Sequence, residues 1–279
     1  MLSPATHRCA VLGSPVAHSL SPVLHRAAYA ALGLTDWAYD AHEIDAAALP
    51  GFLAGCGPEW VGLSLTMPLK AAALAAGEPS PTARLVGAAN TLLFDHATGR
   101  HRVDNTDVGG MSAALRAAGI ERAGTALVLG SGATARSALA ALAPLGVGRV
   151  TVVARSLDRA HAGLDRLADA LEQRLEVQTW DAPVVAPADV TVSTVPADLD
   201  VATAARIAAV SGAVFDILYD PWPTRLAAAA TAAGVRVLDG MDLLVHQAVG
   251  QVRLMTGRRI DPAVLMSAGR AALAARRGQ

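Results

Sequence analysis

Apolar residues fall along this chain in two rhythms. Short continuous runs bounded by glycine, proline or polar residues suit buried strands, and stretches with apolar positions three and four apart suit one face of a helix. Residues 8–13 (Arg-Cys-Ala-Val-Leu-Gly) make the first run, and the periodic segment 23–32, stopped by Gly33, follows it. Ser21 and Pro22 ahead of that segment read as an N-cap and a first helical residue. A strand over 38–42 and a helix over about 46–54 come next, then a strand over 61–65 that ends at Thr66, with Lys70 starting another helix. Residues 89–94 and 101–104 read as a hairpin around His96, Ala97, Thr98 and Gly99. These pieces predict a small mixed α/β domain with polar side chains at its strand ends, the usual place for a site in an open sheet.

Asn105 to Gly110 leads into a helix ending near Gly119, which reads as the link to a second domain. There the pattern changes. Residues 125–129 (Thr-Ala-Leu-Val-Leu) are a continuous apolar strand, followed by Gly130, Ser131, Gly132, Ala133, Thr134 and Ala135, a helix to Ala143 and a strand over 149–154. This is a β-α-β unit whose glycine turn and helix N-terminus can cradle a pyrophosphate. Ala135 replaces the last glycine of the usual fingerprint, which tolerates it. Further strands are predicted over 189–194, 213–217 and 235–238, separated by helical stretches. A long helix opens at Gly240 and runs to about Thr256, and a last one spans 262–274, with Arg276 and Arg277 trailing into solvent. The fold class is therefore α/β, with an N-terminal mixed α/β domain over 1–106, a Rossmann-type dinucleotide-binding domain over 107–240, and C-terminal helices (241–279) that return to the first domain.

Composition narrows the function. A chain of 279 residues is long enough for two domains. The longest stretch without Asp, Glu, Lys or Arg, residues 9–25, is broken by prolines, serines and histidines, so no segment reads as a membrane span. The N-terminus lacks a basic segment followed by an apolar stretch, so no secretory leader is expected. Two cysteines, Cys9 and Cys56, in apolar surroundings suit a reducing compartment. A net charge of −1 with no cluster of basic residues on one helix argues against nucleic acid as a partner. The expectation is a cytoplasmic protein acting on a small molecule, with no membrane, nucleic acid or metal involved.

Lys70 is the only lysine among 23 basic residues; every other one is arginine. A coding bias toward arginine accounts for the rest but not for the survivor's place beside Thr66 and Pro68. Arginine stays charged at any physiological pH, whereas lysine can exchange a proton, so Lys70 reads as a residue that does chemistry. Ser19 and Ser21 at a helix start make a site ready for an anion such as a carboxylate. Capping alone explains Ser21 and leaves Ser19 and His18 unexplained. At the end of the second strand of the β-α-β unit stand Val153, Ala154, Arg155 and Ser156, with Arg159 one turn on. An acid there would hold a ribose 2′-hydroxyl and repel a 2′-phosphate. Two arginines and no acid favour NADP over NAD.

With these pieces in place the chain resembles the shikimate dehydrogenases over essentially its whole length, in wording similar to the actinobacterial branch. The matching stretches are Gly13-Ser14-Pro15 through His18-Ser19-Leu20-Ser21-Pro22, Thr66-Met67-Pro68-Leu69-Lys70, Ala88-Ala89-Asn90-Thr91 and Asp104-Asn105-Thr106-Asp107. Gly130-Ser131-Gly132-Ala133, Asp216-Ile217-Leu218-Tyr219-Asp220-Pro221 and the helix bearing Gln247 complete them. The resemblance implies NADPH-dependent reduction of 3-dehydroshikimate to shikimate, a step toward chorismate and the aromatic amino acids, by a monomer or homodimer. It implies Lys70 and Asp107 as the catalytic pair and Ser19 and Ser21 on the substrate carboxylate. Thr66, Asn90, Asp107 and Gln247 would hold ring hydroxyls, with Tyr219 nearby. Gly130, Ser131, Gly132, Ala133, Arg155, Arg159 and Gly240 would hold NADPH.

The chain departs from the family pattern in four places. Ser64 stands for the usual Asn, which leaves one hydroxyl contact shorter, water-mediated or lost, and Ala154 stands for the Asn before the cofactor arginine. Ala133 replaces a further glycine, and Asp242-Leu243 replace a small residue and Met. The rivals that share these motifs are quinate and aminoshikimate dehydrogenases, which differ in one ring substituent. A catalytically silent NADPH sensor on the same scaffold would be marked by loss of Lys70 or Asp107, and both are present.

Overall fold

The run expected at 8–13 forms β1 (His7–Gly13), and Cys9 to Leu12 are buried on both faces because the strand is internal. It pairs in parallel with β2 (Trp37–Glu43) on one side and β3 (Trp60–Leu65) on the other. The computed structural model describes residues 6–182 and 186–278; residues 1–5, part of the N-terminus read above as lacking a leader, lie outside them. The chain divides into two compact units, Met1–Gly110 with Leu244–Gln279, and Met111–Leu243.

In the first unit the sheet order is β2-β1-β3-β5-β6-β4, with β4 (Glu78–Pro79), β5 (Thr91–Leu93) and β6 (Arg102–Asp104). The expected hairpin is the antiparallel pair β5–β6, and β5 joins it antiparallel to β3. Helices α1 (Ser21–Ala31), α2 (Leu49–Ala54), α3 (Leu69–Ala72) and α4 (Pro81–Val86), and the start of α5 (Thr106–Ala117), fill the connections. Strand alternation sorts the two faces. Ala10, Leu12, Leu63, Leu65 and Leu92 join Leu49, Trp60 and Leu69 in one apolar cluster. Gly62 and Ser64 face the other way. A Cβ on Gly62 would lie 2.9 Å from the Leu92 carbonyl and 3.0 Å from Met255 of the helix Gly240–Thr256. Glycine there lets a helix lie directly on the sheet, and Ser64 presents a hydroxyl to the same helix.

The second unit has a fully parallel sheet. Its elements are β7 (Thr125–Leu129), α6 (Ala133–Leu142), β8 (Arg149–Val153), α7 (Leu157–Ala170) and β9 (Arg174–Gln178). Then come β10 (Val190–Ser193), α8 (Val201–Ala209), β11 (Ala213–Asp216), α9 (Arg225–Ala232) and β12 (Arg236–Leu238). The order β12-β11-β10-β7-β8-β9 is the doubly wound arrangement, with its switch point between β7 and β10. Finally α10 (Gly240–Thr256) and α11 (Pro262–Arg277) carry the chain back, α11 packing on α1.

Several local expectations need correction. Ser21 is the first residue of α1 rather than its N-cap; Leu20 holds that position without a side-chain bond, and Ser19 Oγ accepts the Ser21 amide at 3.2 Å. The helix expected from 46 begins at Leu49, because Asp45 Oδ1 accepts the Ala47 and Ala48 amides and holds them in a preceding turn. α11 runs on through Arg276 and Arg277, whose charges suit a helix C-terminus. Strand β9 went unpredicted because, as an edge strand, its Arg-Leu-Glu-Val-Gln carries polar residues where a central strand is apolar.

One buried group gives the first unit a pH dependence. His25 of α1 is fully buried and stacks on Tyr39 with ring centroids 4.0 Å apart. Burial pushes its imidazole down from 6.5 to about 4, so it is neutral in the folded state. Between those values the unfolded chain binds the proton and the folded chain does not. Stability is therefore full above about pH 6.5 and falls as pH drops toward 4, by up to about 3 kcal/mol from this group. Denaturant unfolding at a series of pH values should show a shallower acid slope for His25→Phe, which keeps the ring stack and removes the proton site. An unchanged slope would rule out His25 as its source.

Candidate active site

Lys70 is the second residue of α3, which Leu69 opens one residue earlier than expected, and Asp107 sits in the first turn of α5, where a carboxylate is favoured by the helix dipole. Lys70 Nζ donates to Asp107 Oδ2 at 2.6 Å. The carboxylate side chain is 6% exposed and the lysine side chain 20%, so the pair is shielded. Asp107 Oδ1 accepts from Asn90 Nδ2 at 2.8 Å. The same nitrogen lies 3.0 Å from Thr106 Oγ1 and 3.3 Å from Gln247 Oε1, so its two protons are shared among three acceptors. The amide's own oxygen accepts the Thr106 backbone N–H at 2.8 Å. Because a backbone N–H can only donate, Asn90 Oδ1 must face it, and Nδ2 must face Asp107. Lys70, Asp107, Asn90 and Gln247 are thus one bonded cluster inside the first unit.

The remaining predicted residues of that unit are Ser19, Ser21 and Thr66. Thr66 directly follows β3, its amide bonded to the Leu12 carbonyl at 2.9 Å, and a Cβ on Gly13 would lie 2.9 Å from the Met67 carbonyl. Glycine at 13 therefore lets the Thr66–Met67 turn close over the end of β1. Ser21 is buried and hydrogen-bonds the Tyr39 phenol. Tyr39 donates in turn to Ser64 Oγ at 2.5 Å, and Ser64 donates to Gln251 Oε1 at 2.9 Å. The hydroxyl proton of Ser64, where the family usually has Asn, thus points at α10. Sequence reasoning missed Tyr39, Thr106 and Gln251 as site neighbours. The signal for Gln251 was its place four residues after Gln247, one turn along the same face.

The second unit holds the predicted nucleotide group and Tyr219. Gly130 ends β7 with φ +100°, and a Cβ there would lie 2.6 Å from Thr194 Oγ1 at the end of β10. Gly132 is the N-cap of α6, and a Cβ there would meet nothing within 4 Å. The space before the helix is open. The helical ladder starts with Arg136 N–H to the Gly132 carbonyl at 3.1 Å, which leaves the Ala133, Thr134 and Ala135 amides without an acceptor in the helix. Arg155, just past β8, and Arg159, in the first turn of α7, are exposed beside Ser156, whose hydroxyl caps the Arg159 amide at 3.3 Å. A cation in a first helical turn opposes the helix dipole, so Arg159 is better explained by an anionic ligand than by helix stability. These residues fit a pyrophosphate and an additional phosphate, as a dinucleotide phosphate requires.

The other predicted residues of this unit cluster at the end of β11. Asp216 is buried, accepts from Thr224 Oγ1 at 2.7 Å and from the Leu218 amide at 3.3 Å, and so shapes the turn bearing half-buried Tyr219. Burial raises its carboxyl above the ordinary range, against those two bonds. Gly240 packs on the same turn: its amide bonds the Leu218 carbonyl at 3.0 Å, and a Cβ would strike the Ile217 carbonyl oxygen. Packing alone demands glycine at 240. Asp242 accepts the Asp239 amide at 3.0 Å and closes the start of α10. Among the described residues, no cluster of His, Cys, Asp and Glu could hold a metal ion, and no helix is long and apolar enough to cross a membrane.

Comparison with known proteins bears on both units. Residues 11–92 match the family described as the shikimate dehydrogenase substrate binding domain. A shikimate dehydrogenase (NADP(+)) of Thermus thermophilus is 39% identical over 274 residues, covering 95% of this chain and 98% of that protein. The crystal structure of Mycobacterium tuberculosis shikimate dehydrogenase is similar at 46% identity and a TM-score of 0.85, covering 95% of this chain and 99% of that one. A Thermus thermophilus shikimate 5-dehydrogenase solved in complex with NADP(H) and shikimate is 36% identical with a TM-score of 0.82, over 95% and 99% of the two chains.

The cluster depends on a close helix approach. A Cβ on Gly110 of α5 would sit 2.6 Å from the Gln247 amide nitrogen and 2.8 Å from its Cα. Backbone cannot yield as a side-chain tip can, so Gly110→Ala should cost about 1–3 kcal/mol of stability and displace Gln247. Thermal unfolding and steady-state kinetics should show a lower Tm together with a higher KM for the substrate. A variant normal in both would mean the approach is looser than described.

Proposed function

The chain belongs to the shikimate dehydrogenase family, and from that premise we propose that it reduces 3-dehydroshikimate to shikimate with NADPH, using Lys70 and Asp107 as its catalytic pair. The observation that carries the reading is the bond from its only lysine to a shielded carboxylate, 2.6 Å long. It is an NADP-dependent oxidoreductase of the shikimate pathway. On the same reading it works on small molecules in the cytoplasm, as a monomer or homodimer.

Bound NADPH supplies the hydride. The Lys70 ammonium stabilises the negative charge that develops on the ketone oxygen and delivers a proton to it, giving the alcohol. Asp107 aims Nζ and accepts from a substrate hydroxyl. Asn90, Thr66 and Gln247 hold the other ring hydroxyls, with Tyr219 assigned to the same substrate. Ser19 and Ser21, at the start of α1, take the carboxylate, where the helix dipole adds to their hydroxyls. Gly130, Ser131, Gly132 and Ala133 receive the pyrophosphate, with Gly240 assigned to the cofactor side. Arg155 and Arg159 pair with the 2′-phosphate.

The reading is tested by following NADPH absorbance in the reverse direction with shikimate or quinate, each with NADP or NAD. Turnover of shikimate with NADP should exceed the other three pairings. A preference for quinate would move the enzyme to a neighbouring specificity, and no turnover beside measurable NADPH binding would overturn the catalytic assignment. Lys70→Arg keeps the charge and removes ready proton exchange, so kcat should fall by roughly 10²–10⁴-fold with substrate affinity far less affected. An arginine variant with near-normal kcat would sink the acid role. Replacing both Arg155 and Arg159 by serine should raise the KM for NADP by roughly 10–100-fold and leave the KM for NAD nearly unchanged. Equal effects on the two cofactors would contradict a 2′-phosphate contact.

A further inference from the structure

Behind the catalytic cluster lies a second layer of buried polar groups. Gln251 of α10 is 1% exposed and sits at its centre. Its Nε2 donates to the Asn90 carbonyl at 3.0 Å and to Thr91 Oγ1 at 3.1 Å. Its Oε1 accepts from Ser64 Oγ at 2.9 Å and lies 3.3 Å from His25 Nε2. Two donated and two accepted bonds fill the capacity of a side-chain amide.

The direction of every proton in this layer follows from two atoms that cannot change role. The Asn90 carbonyl only accepts, so Gln251 must turn Nε2 toward it and Oε1 toward Ser64 and His25. The Thr106 backbone N–H only donates, so Asn90 must turn Oδ1 toward it. Thr91 then accepts from Gln251 and gives its single proton to Asn90 Oδ1 at 2.9 Å. Ser64 gives its proton to Gln251 and accepts from Tyr39. His25 must carry its proton on Nε2, which leaves Nδ1 bare, and that buried atom indeed has no partner. The bonds run one way, from Tyr39 through Ser64, Gln251, Thr91 and Asn90 to Asp107.

We infer that Gln251 is a positioning residue: through Thr91 and Asn90 it sets the orientation of the Asp107 carboxylate, and so the aim of Lys70. The inference rests on the catalytic roles proposed for Lys70 and Asp107. Gln251 touches neither of them and acts through Asn90, which keeps its bonds to the Thr106 amide and Gln247 when Gln251 is lost and so stays beside the substrate while the aim of Asp107 loosens. Ser64 belongs to the same device, because its hydroxyl is taken up in bonding Gln251 and Tyr39.

The test is a double-mutant cycle on kinetics. Gln251→Met, similar in shape and unable to hydrogen-bond in this way, should lower kcat about tenfold with KM for shikimate within about twofold. In an Asp107→Asn background the same change should lower the residual kcat no further. An equal fall in both backgrounds, or a loss of thermal stability with kcat intact, would overturn the inference. Thr91→Val breaks the chain one link on with little change of shape. Its effect on kcat should match that of Gln251→Met, and the double variant should be no worse than either; multiplying effects would count against a single relay. Nitrogen-15 NMR of His25 at neutral pH should show the Nε2–H tautomer with a pyridine-like Nδ1, whatever the substrate. The opposite tautomer would overturn the proton directions. A wild-type enzyme inert toward shikimate would instead fail the proposed function and leave that NMR result standing.

Discussion

The site in the first unit is organised by the need to keep a shielded carboxylate charged. A carboxylate taken out of water must be compensated by partners placed on its oxygens, or it is destabilising. Asp107 has one oxygen on the Lys70 ammonium and the other on the Asn90 amide, and its place in the first turn of α5 adds the field of that helix. Each partner restricts the next. Asn90 satisfies Asp107 only in one of its two amide orientations, and the Thr106 backbone N–H selects that one. A group with no freedom to choose, a peptide N–H, therefore settles the geometry of the Lys70–Asp107 pair.

Such an arrangement is only as firm as the backbone that carries it, and the first unit gains firmness from close approach. Gly62 lets α10 settle on β3, Gly110 brings α5 against the backbone of Gln247, and Gly250 faces Thr106, where a Cβ would lie 3.2 Å from its methyl. The three positions lie on a strand and two helices, where glycine costs about 0.5–1 kcal/mol relative to alanine. Close packing accounts for that cost: it brings two glutamines of one helix within bonding distance of a strand end. The same logic operates separately at Gly240, where packing on the Ile217–Leu218 backbone excludes any side chain.

Much of this was legible in the sequence, for reasons that differ between elements. The central strands β1, β3 and β7 and the glycine turn at 130–132 were readable because burial on both faces demands a continuous apolar run and because glycine marks a backbone constraint. Lys70 stood out by being alone of its kind. β9 was not readable, since an edge strand needs no apolar run. The start of α1 was misread by one residue, because Ser21-Pro22 satisfies the pattern of a cap equally well as a first turn, and only the Leu20 backbone distinguishes them. Tyr39, Thr91, Thr106 and Gln251 were invisible as a set: their sequence separations carry no pattern, and only the sheet register and the seating of α10 bring them together.

That last group shows why spacing along α10 matters more than the identity of either glutamine. Positions 247 and 251 are one turn apart and share a face, yet the strand they cross presents different groups to each. Gln247 meets Asn90 Nδ2 and Thr106, on the side of Asp107, while Gln251 meets the Asn90 carbonyl, Thr91 and Ser64. One helical turn thus places an amide on both sides of Asn90, one sharing its donor and one holding its backbone. Gln251 fixes the Asn90 backbone while Gln247 and the Thr106 N–H fix its side chain, and the carboxylate it faces inherits that rigidity.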